Sequence, residues 1–144
     1  KGGSGMMFFT FSAHSGSCAA GVAALKVLED EDLVSASASK GEEFLTLLSS
    51  LEDHIHVREV RGLGLMIGIE LVDDKESGRP FNPSTGIASQ VVAEALRRGV
   101  WVYPAGDGNA PDALLVGPPF TITTSEMEAT ARVLGDAVSA VCGD

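Results

Sequence analysis

The stretch Val60–Leu71, VRGLGLMIGIEL, constrains the fold more than any other part of the chain. The apolar and β-branched residues within 55–60 fit a short strand, and the glycines within 61–64 predict a bend. The residues Leu65–Leu71 then fit a second, mostly apolar strand. Gly68 lies inside this strand, which indicates that another backbone or a ligand approaches closely there.

Helical patterns surround this pair of strands. The spacing of apolar residues predicts four helices, over 17–29, 33–51, 87–98 and 125–141. Thr123 and Glu126 fit a capping box in front of the last helix. In the first helix, small and apolar residues cover nearly every side, which is typical of a helix that is buried all round. Such a helix is too apolar for a small free-standing domain, so we expect something outside the chain, or a partner copy, to cover it.

Two further strands are predicted late in the chain, over Val100–Tyr103 and Ala113–Val116. Strands and helices in this order predict an α+β fold. We expect the helices to pack on one face of a small, mainly antiparallel sheet, with the long helix preceding it. The length of 144 residues suits one domain with its own core.

The net charge disfavours two classes of partner, and the cysteine content indicates free thiols. The formal net charge of −10 disfavours nucleic acid and anionic membrane surfaces, so neither is an expected partner. No apolar run reaches the ~20 residues of a membrane span, and no signal segment is recognised at the start. Cys18 and Cys142 predict a buried thiol and a near-terminal thiol rather than a disulfide.

Spacing alone identifies no catalytic motif. Ser12 and Ser15 flank His14, but no acid is placed to orient the histidine. His54 and His56 alternate along a predicted strand without a third ligand, so we expect solvated histidines and no metal. The aromatic, then small and polar, then helical residues of 8–18 predict a strand–turn–helix junction, which is a candidate anion-binding turn.

Read in order, five segments resemble one family. They are Gly3–Gly5 (GSG), Phe9–His14 (FTFSAH), Val60–Leu71, Arg98–Pro104 (RGVWVYP) and Leu114–Thr123 (LLVGPPFTIT). They are similar to the motifs of the class III aminotransferases, which are fold-type-I enzymes that depend on pyridoxal phosphate (PLP).

The resemblance is to the C-terminal portion of these enzymes. It implies that residues 1–16 are the end of the junction from a large domain and that residues 17–144 form the small domain, so the first helix is of the interdomain type. In the family the large domain carries the Schiff-base lysine, and Lys1 does not match it. The chain alone is therefore expected to be inactive and not to bind PLP. The threonine matching Thr10 binds the phosphate of the partner subunit's PLP, whereas Ser12 and His14 are expected to shape the turn.

The resemblance also bears on the substrate. Family members place a carboxylate-binding arginine at positions that match Leu115 or Tyr103 here, and neither residue can replace a guanidinium. Either the substrate lacks that carboxylate, or an arginine such as Arg79 supplies the clamp. Arg61 is expected either near the mouth of the active site or as a brace that holds the bend through carbonyl groups or a carboxylate. Tyr103 either lines the substrate pocket or is an ordinary packing residue of its strand.

The function implied is transfer of an amino group between an amine, or an omega- or alpha-amino acid, and a keto acid. Aminomutases, decarboxylases and epimerases share the fold and stay open as alternatives. A further alternative is that the chain is a stand-alone, non-catalytic module for association or regulation. The expected partners are the large domain and a second subunit in a homodimer, and the expected compartment is the cytoplasm.

Overall fold

A computed structural model describes Thr10 and residues 13–106 and 110–143. The chain divides into two compact units, Lys1–Val34 and Ser35–Asp144. In the first unit, helix α1 spans Ser15–Asp30, and none of its residues is buried. His14 is its N-cap, and the His14 Nδ1 accepts a hydrogen bond from the backbone N–H of Ser17 at 3.2 Å. The predicted strand end at 8–11 lies outside the described residues apart from Thr10.

The second unit is built on one sheet of four strands. They are β1 (Val57–Leu63), β2 (Met66–Leu71), β3 (Tyr103–Ala105) and β4 (Ala113–Val116). All neighbours pair antiparallel, in the order β1-β2-β4-β3. β3 is an edge strand, and its Pro104 is tolerated there because an edge leaves one row of N–H groups unneeded.

Three helices and a short 3-10 turn complete the fold. They are α2 (Leu33–Ser49), the 3-10 turn Ser50–Asp53, α3 (Ile87–Arg97) and α4 (Thr124–Cys142). The core is formed by apolar side chains of these helices and of one sheet face, including Phe44, Leu48, Val91, Ile69 and Leu134, which are all fully buried. The predicted α+β fold, with helices on one face of a small antiparallel sheet, is confirmed.

Three local features fix how the elements meet. Thr123 caps α4 in the predicted capping box: the Thr123 N–H donates to Glu126 at 2.8 Å, and the Glu126 N–H donates back to the Thr123 hydroxyl. α2 approaches the β1–β2 turn so closely that a Cβ on Gly41 would lie 2.3 Å from the backbone of Gly64. The carboxylate of Asp112, which is buried, accepts the Ala88 N–H in the first turn of α3.

The structure corrects four predictions. β1 continues through Arg61, Gly62 and Leu63, so the turn begins only at Gly64, which takes a positive φ of 55°. The strand predicted over Val100–Tyr103 instead begins at Tyr103. α2 ends at Ser49, and the 3-10 turn replaces its last residues. Cys18 is exposed rather than buried. In each case the local sequence pattern was compatible with both the predicted and the observed structure. Strand pairing or packing determined which of the two formed.

Candidate functional site

The two faces of the sheet differ in what covers them. One face carries the buried side chains Val60, Ile67, Ile69, Leu114 and Val116, against which the helices pack. The register places the opposite set on the other face, which we call the open face: Glu59, Arg61, Leu63, Met66, Gly68, Glu70, Ala113, Leu115 and Tyr103. Most of these residues remain at least partly accessible, so this face is available to a ligand or to another part of a protein.

Four residues of the open face lie in one row across the sheet. Arg61 pairs with Gly68, Gly68 with Leu115, and Leu115 with Tyr103. We call them the cross-sheet row. Because neighbouring strands are about 4.8 Å apart, the row spans roughly 14 Å. Two residues that the sequence analysis selected for a substrate pocket, Arg61 and Tyr103, therefore stand at opposite ends of one row.

Gly68 leaves the middle of the row without a side chain. A Cβ at Gly68 would meet only the carbonyl oxygen of Arg61, at 3.8 Å, which is an ordinary contact. The close backbone approach predicted at Gly68 is therefore not what the glycine serves here. Because Gly68 has no side chain, the open face has a gap between Arg61 and Leu115.

The carboxylate of Glu70 holds two arginines. Arg61 donates to Glu70 at 3.0 Å and to Glu59 at 2.7 Å through the same Nη1, and Arg58 donates to the other oxygen of Glu70 at 3.1 Å. The Glu70 side chain is 9% exposed, whereas both arginine side chains are about half exposed. The hydrogen bonds to Glu70 and then to Glu59 raise the pKa of the Arg61 guanidinium. Of the two alternatives for Arg61, the structure shows the bracing contacts, and these lie on the strand face.

Arg79 is held by a neighbouring carboxylate in the loop after β2. Its Nε and Nη2 both donate to Asp73, at 2.9 and 2.7 Å. This ion pair raises the pKa of the Arg79 guanidinium. The backbone of Arg79 is also bridged to Asp74. The pairing register does not include Arg79, so the structure does not bring it into the cross-sheet row.

Tyr103 stands at the edge of the sheet beside the only tryptophan. The rings of Trp101 and Tyr103 lie 4.4 Å apart, centroid to centroid, at an angle of 56°. Tyr103 is 55% exposed and Trp101 is 58% exposed. Rings so exposed are available for further contacts, because their partner covers only part of each.

Thr10, which the resemblance predicts to contact a phosphate, belongs to the unit Lys1–Val34. Thr10 is an exposed turn residue, and Ala13, three residues later, has a positive φ of 59°. His14 is the N-cap of α1, which agrees with its predicted role in shaping the turn. Ser12 lies outside the described residues.

The histidine prediction is corrected. His54 and His56 precede β1 instead of sharing a strand face, and both are half buried. His56 donates its Nδ1–H to the Val72 carbonyl oxygen at 2.9 Å, and His54 Nδ1 accepts the His56 backbone N–H. Across the residues that the structure describes, no group of three potential ligands could hold a metal ion. None of the described helices is long and apolar enough to cross a membrane.

Part of the open face is apolar, which was not predicted from the sequence. Leu63 is 90% exposed and Met66 is 68% exposed, and with Leu115 and Phe120 they line a cavity of about 330 Å³ at the end of the sheet where β1 turns into β2. We call these four residues the apolar wall. The alternation of Leu63, Met66 and Leu115 along the strands was readable from the sequence, but which face would stay uncovered was not, and Phe120 lies beyond β4.

A small antiparallel sheet with helices on one face and an accessible, arginine-bearing face on the other defines an α+β domain with one sheet face open to further contacts. The aminotransferase class-III family profile matches residues 4–138, and the chain belongs to this family. The resemblance stated from the sequence motifs is thereby confirmed.

Three similar proteins illustrate the relationship. The adenosylmethionine-8-amino-7-oxononanoate aminotransferase of Nitratidesulfovibrio vulgaris is 38% identical over 132 residues, which are 92% of this chain and 23% of that enzyme. An (S)-enantioselective omega-transaminase from Thermomicrobium roseum matches with a TM-score of 0.86 and 34% identity, over 94% of this chain and 29% of that one. An amine transaminase from an uncultivated Pseudomonas species, solved in its PLP-bound form, matches with a TM-score of 0.83 and 35% identity, over 94% and 30%.

The chain thus spans about a quarter to a third of the length of these relatives. What they bind and catalyse depends on the whole of each protein. For this chain, activity, cofactor and substrate therefore follow only as proposals.

Proposed function

We propose that this chain is the C-terminal, small-domain part of a longer PLP-dependent aminotransferase. The complete enzyme transfers an amino group between an amine or amino acid and a keto acid. The observation that carries the proposal is the cross-sheet row. Arg61 and Tyr103, selected from the sequence for a substrate pocket, stand at the two ends of this row, on the sheet face that the helices of the unit Ser35–Asp144 leave uncovered.

The described residues do not build a cofactor site by themselves. Lys40 Nζ donates to the Phe120 carbonyl oxygen at 2.8 Å, Lys75 donates to the Glu52 carbonyl oxygen, and Lys26 lies exposed on α1. None of the three is placed in a pocket with the groups that a Schiff base requires. We infer that the reactive lysine belongs to the rest of the enzyme and that this chain by itself is inactive. When bound there, PLP supplies the electron sink of the reaction.

The contribution of this chain to the cofactor is one phosphate contact. The exposed Thr10 offers a hydroxyl and a backbone N–H, which suit a phosphate oxygen. We propose that it binds the phosphate of the partner subunit's PLP in a homodimer. The open face then forms a wall of the substrate pocket, in which Glu70 orients the Arg61 guanidinium.

The test uses the full-length protein that contains this chain. We expect it to bind PLP and to convert an amine donor with pyruvate as acceptor, and we expect the isolated 144-residue chain to do neither. Absorbance titration of PLP and chromatographic detection of alanine provide the readouts. A full-length protein that binds no PLP, or that binds it without transferring amino groups, would contradict the proposal and favour a non-catalytic module or a different PLP reaction.

Thr10 is tested by replacing its hydroxyl. In Thr10→Val we expect about tenfold weaker PLP binding, because a hydrogen bond to a charged group contributes on the order of 1.5 kcal/mol. Thr10→Ser keeps the hydroxyl and is the matched control. Equal PLP affinity in both variants would remove Thr10 from the phosphate site.

The assembly and compartment are also proposals. We propose a homodimer, because the phosphate contact of Thr10 requires a second subunit, and we propose the cytoplasm as its compartment. Light scattering of the full-length protein measures the number of subunits. A full-length protein that binds PLP while it is a monomer would exclude the phosphate contact across subunits.

A further inference from the structure

The loop that connects β4 to α4, residues 117–123, forms one side of the cavity of about 330 Å³ at the end of the open face. We call it the β4–α4 loop. Gly117, Pro118 and Phe120 of this loop line the cavity. The loop continues directly from β4, whose Leu115 belongs to the cross-sheet row. Its conformation therefore bears on the shape of the open face at this end.

Both ends of a turn within the loop are held by contacts close by in the chain. The Ile122 N–H donates to the Pro119 carbonyl oxygen at 3.0 Å. This bond closes a turn whose two central residues are Phe120 and Thr121. Ile122 is buried in the core, and Thr123 is fixed by the capping box of α4. The two ends of the turn are therefore well anchored.

The peptide between the two central residues is not held by the turn itself. In a β-turn this peptide can reverse its direction, which converts one turn type into another, while the bond that closes the turn is kept. The carbonyl group of this peptide belongs to Phe120. It accepts a hydrogen bond from Lys40 Nζ on α2 at 2.8 Å, across 80 positions of the chain. Lys40 thus fixes the peptide whose direction the turn leaves open.

Lys40 also acts on the end of the loop. The backbone N–H and the hydroxyl of Thr123 lower the pKa of the Glu126 carboxyl, and the Lys40 ammonium group lowers it further by electrostatic attraction. The Glu126 carboxylate attracts the ammonium group in the same way. One lysine of α2 therefore interacts both with the centre of the turn and with the capping box that follows it.

The neighbouring residues of α2 contact the other side of the same cavity. Gly41 packs against the backbone of Gly64 in the β1–β2 turn, and Ser37, one helical turn earlier, lines the cavity. Ser37, Lys40 and Gly41 are spaced by three and four residues, so they share one face of α2. This face holds the β1–β2 turn through Gly41 and the β4–α4 loop through Lys40. A single helix face thus positions both sides of the cavity.

From these contacts we propose that Lys40 is a positioning residue of the complete enzyme. Its ammonium group holds the Phe120 carbonyl group, and thereby the β4–α4 loop, in the orientation that the pocket at the open face requires. The proposal rests on the proposed function, in which the open face forms a wall of the substrate pocket. Lys40 acts only through the loop, since it does not itself line the cavity.

The experiment replaces the ammonium group in the full-length protein. Lys40→Met keeps a side chain of similar length without the donor, and Lys40→Arg keeps a cationic donor. Lys75→Met is the matched control, because Lys75 also donates to a backbone carbonyl oxygen, that of Glu52. Lys75 lies in the loop after β2 and does not line the cavity.

Hydrogen exchange, followed by mass spectrometry, reports on the loop without turnover. In Lys40→Met we expect the amides of the β4–α4 loop to exchange about three to ten times faster, which is the range of one net hydrogen bond. In Lys40→Arg and Lys75→Met we expect the exchange of these amides to stay close to that of the unmodified protein.

Steady-state kinetics measures the effect on the pocket. The acceptor is pyruvate, and the donor is whichever of butylamine, benzylamine and γ-aminobutyrate the unmodified protein converts fastest. In Lys40→Met we expect KM for the donor to rise about three- to tenfold with kcat little changed, because a displaced wall weakens ground-state and transition-state binding alike. Lys40→Arg should restore KM, and Lys75→Met should leave both constants unchanged. A lysine that only stabilised the fold would lower the melting temperature without this split between KM and kcat.

The outcomes separate this proposal from the proposed function. No reaction with any of the three donors contradicts the proposed function, and the exchange of the loop still shows whether Lys40 holds it. Unchanged loop exchange in Lys40→Met overturns the positioning role, whatever the activity. A KM that rises equally in Lys40→Met and Lys75→Met, or that Lys40→Arg fails to restore, overturns it as well.

Discussion

At the scale of single residues, Glu70 determines the state of the open face. Its carboxylate is nearly buried and accepts hydrogen bonds from Arg58 on one oxygen and from Arg61 on the other. A buried carboxylate without such partners is strongly unfavourable, so these bonds fix where both guanidinium groups lie. The position of the Arg61 guanidinium therefore depends on Glu70.

The contribution of this cluster to stability can be measured. Glu70→Gln removes the charge while keeping the shape, and we expect the free energy of unfolding to fall by about 2 kcal/mol, in the range for hydrogen bonds to charged groups. Urea denaturation of the 144-residue chain measures this, with Glu43→Gln at an exposed site of α2 as control. Equal stability of the two variants would show that Glu70 does not brace the sheet.

The two cysteines differ in reactivity. Burial raises the pKa of the Cys142 thiol to about 11, and the nearby Asp112 carboxylate adds to the shift. Because the thiolate is the reactive form, Cys142 stays protonated at neutral pH, and its alkylation rate should rise steeply as pH approaches this pKa. Cys18 is exposed on α1. We expect iodoacetamide to label Cys18 well before Cys142 in mass spectrometry at pH about 8, because Cys18 is exposed whereas the Cys142 thiol is half buried and has a raised pKa. Simultaneous labelling would contradict the burial of Cys142.

At the scale of elements, the contact of α2 with the β1–β2 turn sets the orientation of the hairpin. Gly41 of α2 lies against the backbone of Gly64, where no Cβ fits. Leu63 and Met66 flank this turn on the open face, so the position of the apolar wall depends on the contact. A glycine inside a helix is ordinarily unfavourable, and close packing is the reason for this one.

Two glycine substitutions of opposite sign test this contact. Gly41→Ala should destabilise the chain by about 1–3 kcal/mol, because the new methyl group overlaps backbone atoms that cannot move independently. Gly135→Ala, in the interior of α4 with nothing within 4 Å, should stabilise it by about 0.5–1 kcal/mol through helix propensity. Thermal unfolding of both variants provides the comparison, and a destabilised Gly135→Ala with a neutral Gly41→Ala would reverse the assignment.

At the scale of the whole molecule, burial is unevenly distributed. The unit Ser35–Asp144 contains the core, whereas α1 in the unit Lys1–Val34 buries none of its residues, although Val22, Leu25 and Val27 are apolar. Helices in water gain most of their stability from packing an apolar face rather than from propensity. The sequence-based expectation that something beyond this chain covers α1 stays a prediction.

Hydrogen exchange tests this difference in stability. In the isolated chain we expect the amides of α1 to exchange far faster than those of α3 and α4, since local opening costs little where no side chain is buried. In the full-length enzyme the same amides should become protected. Equal protection of α1 and α4 in the isolated chain would contradict the exposure of α1.

The sequence by itself determined the helices, the hairpin and the α4 capping box, because apolar periodicity and cap residues act over a few neighbouring positions. It also determined the family, since motifs such as Val60–Leu71 are contiguous. Only the tertiary structure decided which residues share a face. The pairing of Gly68 with Leu115 joins positions far apart in the chain, and a shift of one residue would turn each to the other face. The same reason explains why Glu70 could not be recognised as the partner of two arginines until the register was known.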